Sequence, residues 1–352
     1  MTRSYLDWNA TTPLRAEARA AMLSAMDVVG NPSSVHAEGR AARAIVERAR
    51  AQVAAALGAG DADIIFTSGA SEAAALAMVG ADGQSRGWAA ADIEHEAVLA
   101  WRGDVLVVDG QGRVDVIDPT ISALQLANSE TGILQDLPAG LALSDLTQAF
   151  GKLAFGFDWL GVVRGIVSAH KLGGPKGIGA LVVRRGVGVA PQIRGGGQEM
   201  GQRAGTENIV GIAGFGAAAE AAARDLADGV WDRVAALRDR MESAISAAAP
   251  GAVIVGQGAR RLPNTTCLAT PHWKAETQVM QMDLAGFAIS AGSACSSGKL
   301  RPSGGLRAMG FDDPTAQGAV RVSLGPLVSE AAVMRFVEAW LAQQKKFQAR
   351  AA

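Results

Sequence analysis

The sequence predicts an α/β protein: a mainly parallel sheet with helices on both faces, joined to a smaller α+β unit at the C-terminal end. Three observations carry this. First, an apolar run, Ile64-Ile65-Phe66-Thr67, breaks at Ser68-Gly69-Ala70-Ser71-Glu72 and leads into an Ala-rich helical stretch over 73–79, which is the strand–turn–helix order of α/β folds. Second, further apolar runs at 105–108, 123–127, 165–167 and 180–183 alternate with helical segments, a pattern of parallel strands covered on both faces. Third, residues 211–249 read as one or two long amphipathic helices leading into a differently ordered C-terminal part.

Taken in order, 17–26 reads as a short helix with Ala and Met on one face. Gly30-Asn31-Pro32-Ser33-Ser34 is a loop whose Asn and Ser can cap the next helix. Residues 37–57 keep a helical period with Arg and Glu outward. Beyond the long helices, strands are expected at 253–255, 265–269, 287–290 and 319–324, with helices at 276–283 and 330–343. Residues 12–245 are assigned to the larger unit. Residues 1–11 and 246–352 are assigned to the smaller, with the first few residues packing back on it.

Composition narrows the function. The 352 residues are 49% hydrophobic and 19% charged, enough for a sizeable core, and the net charge of -1 argues against a general nucleic-acid binder. The N-terminus lacks a secretory apolar stretch, and no apolar run is long enough to span a bilayer. The two cysteines, Cys267 and Cys295, are too few for a disulfide scaffold and favour a reducing compartment, so a cytoplasmic protein is expected. The 43 glycines cluster in loops, which implies backbone passing close to something.

The most informative segment is Ser168-Ala169-His170-Lys171-Leu172-Gly173-Gly174-Pro175-Lys176-Gly177. A strand end presenting Ser, His and Lys before a Gly/Pro turn suits a cofactor held as a Schiff base, whose amine later shuttles a proton. The alternative is a solvated loop lysine. Ala70 and Ser71 at a helix start suit a phosphate or a plain N-cap, and Ser168 is a second hydroxyl for the same anion. Asp145 suits a pyridinium nitrogen and Gln148 a phenolic oxygen; in isolation they would be a capping Asp and a surface Gln. His95, in Ile93-Glu94-His95-Glu96, can stack on an aromatic ring and move protons, or simply cap a helix. The Gly-dense stretch around Arg203 and Thr206 is either a surface linker or a further anion site. Arg321, within a short strand, needs a carboxylate, supplied by a substrate or by a structural salt bridge. Cys295 lies among small polar residues, where a nucleophilic thiol would be carried, whereas Cys267 alternates with apolar residues as inert core.

Together these segments resemble the class V aminotransferase superfamily of fold type I pyridoxal-phosphate enzymes, and within it the NifS/IscS-type cysteine desulfurases. The likeness spans nearly the whole chain. Tyr5-Leu6-Asp7-Trp8-Asn9-Ala10-Thr11-Thr12-Pro13 looks like the family opening, and Gly30-Asn31-Pro32-Ser33-Ser34-Val35-His36 like its next signature. Phe66-Thr67-Ser68-Gly69-Ala70-Ser71-Glu72 looks like the phosphate turn, with Ser71 where Thr is common. Asn128-Ser129-Glu130-Thr131-Gly132, Ser168-Ala169-His170-Lys171 and Ser293-Ala294-Cys295-Ser296 are similar to the cofactor, Schiff-base and sulfur-accepting segments.

The resemblance implies a seven-stranded-type sheet and pyridoxal 5'-phosphate joined to Lys171. Asp145 and Gln148 would tune the ring and His95 would stack on it. Ala70, Ser71, Ser168 and His170 would hold the phosphate, with Thr206 from the other subunit of a homodimer. Asn128 and Arg321 would orient L-cysteine, and Cys295 would take its sulfur as a persulfide, leaving alanine. A protein sulfur acceptor or iron–sulfur scaffold would then collect the sulfur. The resemblance calls for no metal, membrane or nucleic acid. Competing readings are another lyase or aminotransferase of the superfamily, selenocysteine lyase included, and a degenerate sulfur-transfer scaffold.

One departure stands out. Residues 133–144 are too few for the helix and strand usual there, and 81–92 also looks trimmed, so a surface helix is expected to be missing while the sheet order is kept.

Overall fold

The computed structural model describes residues 3–80, 84–85, 87–292 and 302–351. In chain order the elements of the first part are β1 (Ser4–Tyr5), α1 (Ala16–Met26), α2 (Ala37–Leu57), β2 (Ala62–Thr67), α3 (Ala70–Met78), β3 (Trp88–Ala91), α4 (Glu96–Leu99), β4 (Arg102–Leu106), β5 (Ser144–Asp145), β6 (Arg164–Ser168), β7 (Gly179–Arg184) and α5 (Ile209–Ala227). The second part holds α6 (Val230–Ala248), β8 (Val253–Val255), β9 (Thr265–Ala269), α7 (Ala275–Leu284), β10 (Phe287–Ala288), β11 (Ser290–Ala291), α8 (Gly304–Ala308), α9 (Asp313–Gln317), β12 (Ala319–Ser323) and α10 (Glu330–Ala351).

The larger sheet begins in the order β2-β7-β6-β5. It continues through residues 122–126: Leu124 N–H donates to Leu143 O, Leu126 N–H to Asp145 O, and Ala123 N–H to Ala89 O. Those bonds carry the sheet on to β3 and then β4, giving seven strand positions among the described residues. All neighbours are parallel except β7, which runs antiparallel to both β2 and β6. The exception has a local cause, because the short 169–178 turn folds β7 directly back on β6, whereas a parallel return needs a long crossover.

Period-two alternation sends side chains to two covered faces. Phe66, Val167, Ala180 and Val182 pack against α2 and α5 through Val46, Val53, Leu57 and Phe215. Ile65, Ile166, Leu181 and Val183 pack against α3 through Ala73, Leu76 and Met78. The N-terminal end of α3 sits directly on β7: a Cβ at Gly179 would come within 2.8 Å of Gly69 Cα and 2.6 Å of Val167 O, so only glycine fits there.

The second sheet, β11-β12-β9-β8, is antiparallel. Its core joins Leu268, Val320 and Val322 to Trp231, Met241 and Ile245 of α6 and to Phe336 and Trp340 of α10. The N-terminus returns to it, with β1 parallel to β10 and Leu6 in this core. A shared apolar seam, including Ala91 and Ile133 on one side and Val255, Cys267 and Ala319 on the other, joins the two sheets.

Several elements differ from the sequence expectation. α3 starts at Ala70 instead of 73, because Ser71 and Glu72 occupy its first turn and Gly69 serves as N-cap with no side-chain cap. Of the one or two long helices expected over 211–249, two form, separated at Gly229, whose φ of 67° suits glycine. α8 and α9, five residues each, were not foreseen; Ser303 and Asp312 cap them. As expected, residues 133–143 contain no helix, and the chain passes straight into β5 with the β2-β7-β6-β5 order.

Candidate active site

The carboxyl ends of β2, β5 and β6 open onto one cleft of about 520 Å³, which is where ligands sit in open α/β sheets. Each strand end delivers different chemistry. β2 hands over to the first turn of α3, whose backbone N–H groups have no side-chain cap from Gly69. Ser68 beside it is fixed by its N–H bond to Glu72 Oε2. Burial acts to raise the Glu72 carboxyl, but its bonds from Arg203 and Ser68 outweigh that and leave it below its ordinary pKa. Ala70 and Ser71 line the cleft at this end.

β6 ends at the buried Ser168 and continues as a single 3-10 turn, Ala169–Lys171. That turn points His170 and Lys171 into the cleft, where Lys176 joins them. Lys171 Nζ donates to the backbone carbonyls of Asn9 (2.6 Å) and Ala10 (2.8 Å). The His170 ring lies 3.2 Å from Thr11 Oγ1. Burial, together with the nearby Lys171, Lys176 and Lys152, pulls the His170 pKa down to about 4, so its imidazole is neutral near pH 7.

β5 brings the opposite charge. Asp145 lines the cleft and accepts from Thr147 N–H at 2.8 Å. The neighbouring Glu94 is buried; burial and the Asp145 carboxylate push its carboxyl well above the ordinary range, against a bond from Gln125 N–H. Gln148 Nε2 donates to Asn9 O (3.0 Å), and Gln148 Oε1 accepts from Lys152 Nζ (2.7 Å). His95 is the N-cap of α4. Its Nδ1 accepts from Ala97 N–H at 3.1 Å, which in the neutral ring puts the proton on Nε2.

Arg321 of β12 reaches the cleft from the second sheet. It donates to Asp7 Oδ1 (2.9 Å) and Ser129 O (3.1 Å), while its Nε is buried without a partner. The salt bridge expected as an alternative is therefore present, and the Nε nitrogen is left without a partner. Asn128 is not among the lining residues. Its Oδ1 accepts from Glu130 N–H and Thr131 N–H and its Nδ2 donates to Ile93 O, so its amide builds the turn that presents Ser129. Thr206 is exposed on the 202–208 loop and does not line this cleft. Cys295 lies outside the described residues.

Sequence reasoning does not single out Asn9, Lys152 and Lys176. Asn9 stands inside the opening segment 5–13, but nothing local shows that it is buried. Lys152, four residues beyond Gln148, reads as an ordinary lysine until the fold encloses it.

The aminotransferase class-V profile matches residues 4–336. The chain belongs to that family. Within it, the chain is 40% identical to a cysteine desulfurase of Cereibacter sphaeroides over 96% of this chain and 95% of the relative. The NifS-like protein of Rickettsia africae superposes with a TM-score of 0.87 at 31% identity, covering 97% of this chain and 99% of that one. The structure of SspA in complex with cysteine superposes with a TM-score of 0.75 at 28% identity, covering 92% and 99%. No helix among the described residues is long and apolar enough to cross a membrane.

Proposed function

We propose that this chain converts L-cysteine to L-alanine with pyridoxal 5'-phosphate as cofactor and passes the sulfur to Cys295. The observation that carries the reading is the charge layout around Lys171. The cleft gathers the uncapped first turn of α3, Lys171 and Lys176, and the carboxyl group of Asp145. That set fits the cofactor, with helix N–H groups and cations for an anionic phosphate and a carboxylate for a basic ring nitrogen. When bound, the cofactor supplies an electron sink for the pair released at the substrate α-carbon.

The remaining work falls to the protein. Ala70, Ser71, Ser168 and His170 hold the phosphate, the neutral His170 as a hydrogen-bonding ring. Thr206 adds a contact from the other subunit of a homodimer. Asp145 would keep the ring nitrogen protonated, and Gln148 would donate its second amide N–H to the phenolic oxygen. His95 would stack on the ring. Lys171 anchors the cofactor and moves the α-proton. Arg321, which lines the cleft, would take the substrate carboxylate, and Asn128 would act through the turn that sets Ser129 O against Arg321. The Cys295 thiolate then attacks the substrate sulfur: the C–S bond breaks, an S–S bond forms, and the carbon left behind is protonated to give alanine. A protein sulfur acceptor, in iron–sulfur assembly or another thiolation route, collects the persulfide.

The test uses purified cofactor-loaded protein. After L-cysteine is added, alanine is expected to accumulate and the Cys295 peptide to gain one sulfur by mass spectrometry. A Cys295→Ser variant that releases sulfur from cysteine at the full rate would overturn the assignment.

A further inference from the structure

Lys152 is 2% exposed. Its amine donates to two side-chain amide oxygens, Gln148 Oε1 at 2.7 Å and Asn9 Oδ1 at 3.1 Å. The ionic groups that act on it, Lys171 and Arg321, are both cations, and among the described residues no carboxylate pairs with it. Burial first, then those two cations, pull its pKa well below that of an ordinary lysine.

The two acceptors are not incidental. Asn9 is 1% exposed and joins the two sheets: its N–H donates to Ser323 Oγ, its Nδ2 to Thr265 Oγ1 and Ser129 O, and its Oδ1 also accepts from Asn264 Nδ2. Its carbonyl receives both Lys171 Nζ and Gln148 Nε2. Because Lys152 occupies Gln148 Oε1, the Gln148 NH2 group must face the other way. One N–H goes to Asn9 O and the second is left for the cleft. A rotated amide would put an oxygen there.

We propose that Lys152 is a positioning residue for the reaction: buried beneath the cleft, it fixes the amides of Gln148 and Asn9 so that Gln148 presents N–H to the bound cofactor and Asn9 O steadies the Lys171 amine. This rests on the functional reading above, in which Gln148 donates to the phenolic oxygen. Loss of that donor raises the affinity of the chromophore for its proton, since the anionic oxygen is less well stabilised.

The experiment is a pH titration of the visible band of the cofactor-loaded protein. It compares wild type, Lys152→Met, Gln148→Leu and the double variant, and melts each without cofactor as a control for folding. The midpoint is expected to rise by about one pH unit in Lys152→Met, the size of one lost hydrogen bond to a charged group. The double variant is expected to match Gln148→Leu alone. An unmoved midpoint in Lys152→Met, or additive shifts in the double variant, overturns the proposal, since a purely structural lysine changes the melt and not the chromophore. If the methionine variant is insoluble, Lys152→Gln is titrated instead and judged by the same outcomes. A wild-type protein that forms no covalent band at Lys171 sinks the functional reading itself, and this proposal with it. A normal wild-type band with no response to Lys152 sinks the proposal alone.

Discussion

Arg261 and Lys152 are both basic and both buried, and the fold treats them in opposite ways. Arg261 on the edge of the second sheet meets Glu242 of α6 through two bonds, at 2.9 and 2.7 Å, and Thr266 Oγ1 adds a third at 2.6 Å. Both side chains are 6–7% exposed, and each charge has its counter-charge. Lys171, Lys176 and His170 line one cleft instead, with Lys152 buried beneath it, and besides burial the groups that act on His170 are these three lysines. A desolvated charge is costly unless paired. The first region therefore meets its cost within the chain, whereas the second gathers basic side chains that an anionic ligand would stabilise.

The largest test of that contrast removes the anchor. Lys171→Ala is expected to cut alanine formation on the order of 10³–10⁴-fold, as the loss of a proton-transferring group does. The cofactor-free protein should melt no earlier than wild type, because removing one of several crowded cations relieves repulsion. Alanine assay and thermal melting on the same preparation check both. A marked loss of stability would mean that Lys171 is structural in the way Arg261 is.

The converse variant is Glu242→Gln. It keeps the volume but leaves Arg261 charged and unpaired in a buried site, which costs about 3–5 kcal/mol. Urea unfolding should report that loss, while the absorbance of bound cofactor in the folded protein stays unchanged. A cost below about 1 kcal/mol, the range of exposed pairs, would show that this pair does not hold the second sheet.

The same contrast explains how much is legible in the sequence. Local patterns place β2, α2, β8 and β9 to within a residue or two, since each is a periodic run bounded by turn residues. Lys171, His170, Ser168, Asp145 and Ser71 stand in distinctive segments, and the fold brings them to one cleft. The hidden part is long-range. The antiparallel direction of β7 depends on a turn whose geometry the alternation of runs does not encode. The start of α3 at Ala70 depends on Gly179 letting Gly69 approach. Asn9 and Lys152 acquire their character only when strands more than a hundred residues away close around them. Arg321 stays open between substrate ligand and salt bridge because sequence does not reveal that Asp7 meets one of its nitrogens while Nε is left over.

The smallest effect tests these gathered basic side chains through pH. The His170 ring has an ordinary value of 6.5 when unfolded and about 4 in the fold. Between those values the unfolded chain holds the extra proton, so stability rises with pH across that window and is lost as pH falls through it. The full shift would be an upper bound, and with the ring only partly buried a contribution of about 1–2 kcal/mol is the reasonable scale. Urea midpoints of cofactor-free wild type and His170→Asn, measured at about pH 7 and about pH 4.5, should therefore differ: wild type loses this increment on acidification and the variant does not. Equal losses would mean that burial and the nearby Lys171, Lys176 and Lys152 do not hold the imidazole neutral, and the cleft would then not differ in this respect from the charges of Arg261 and Glu242.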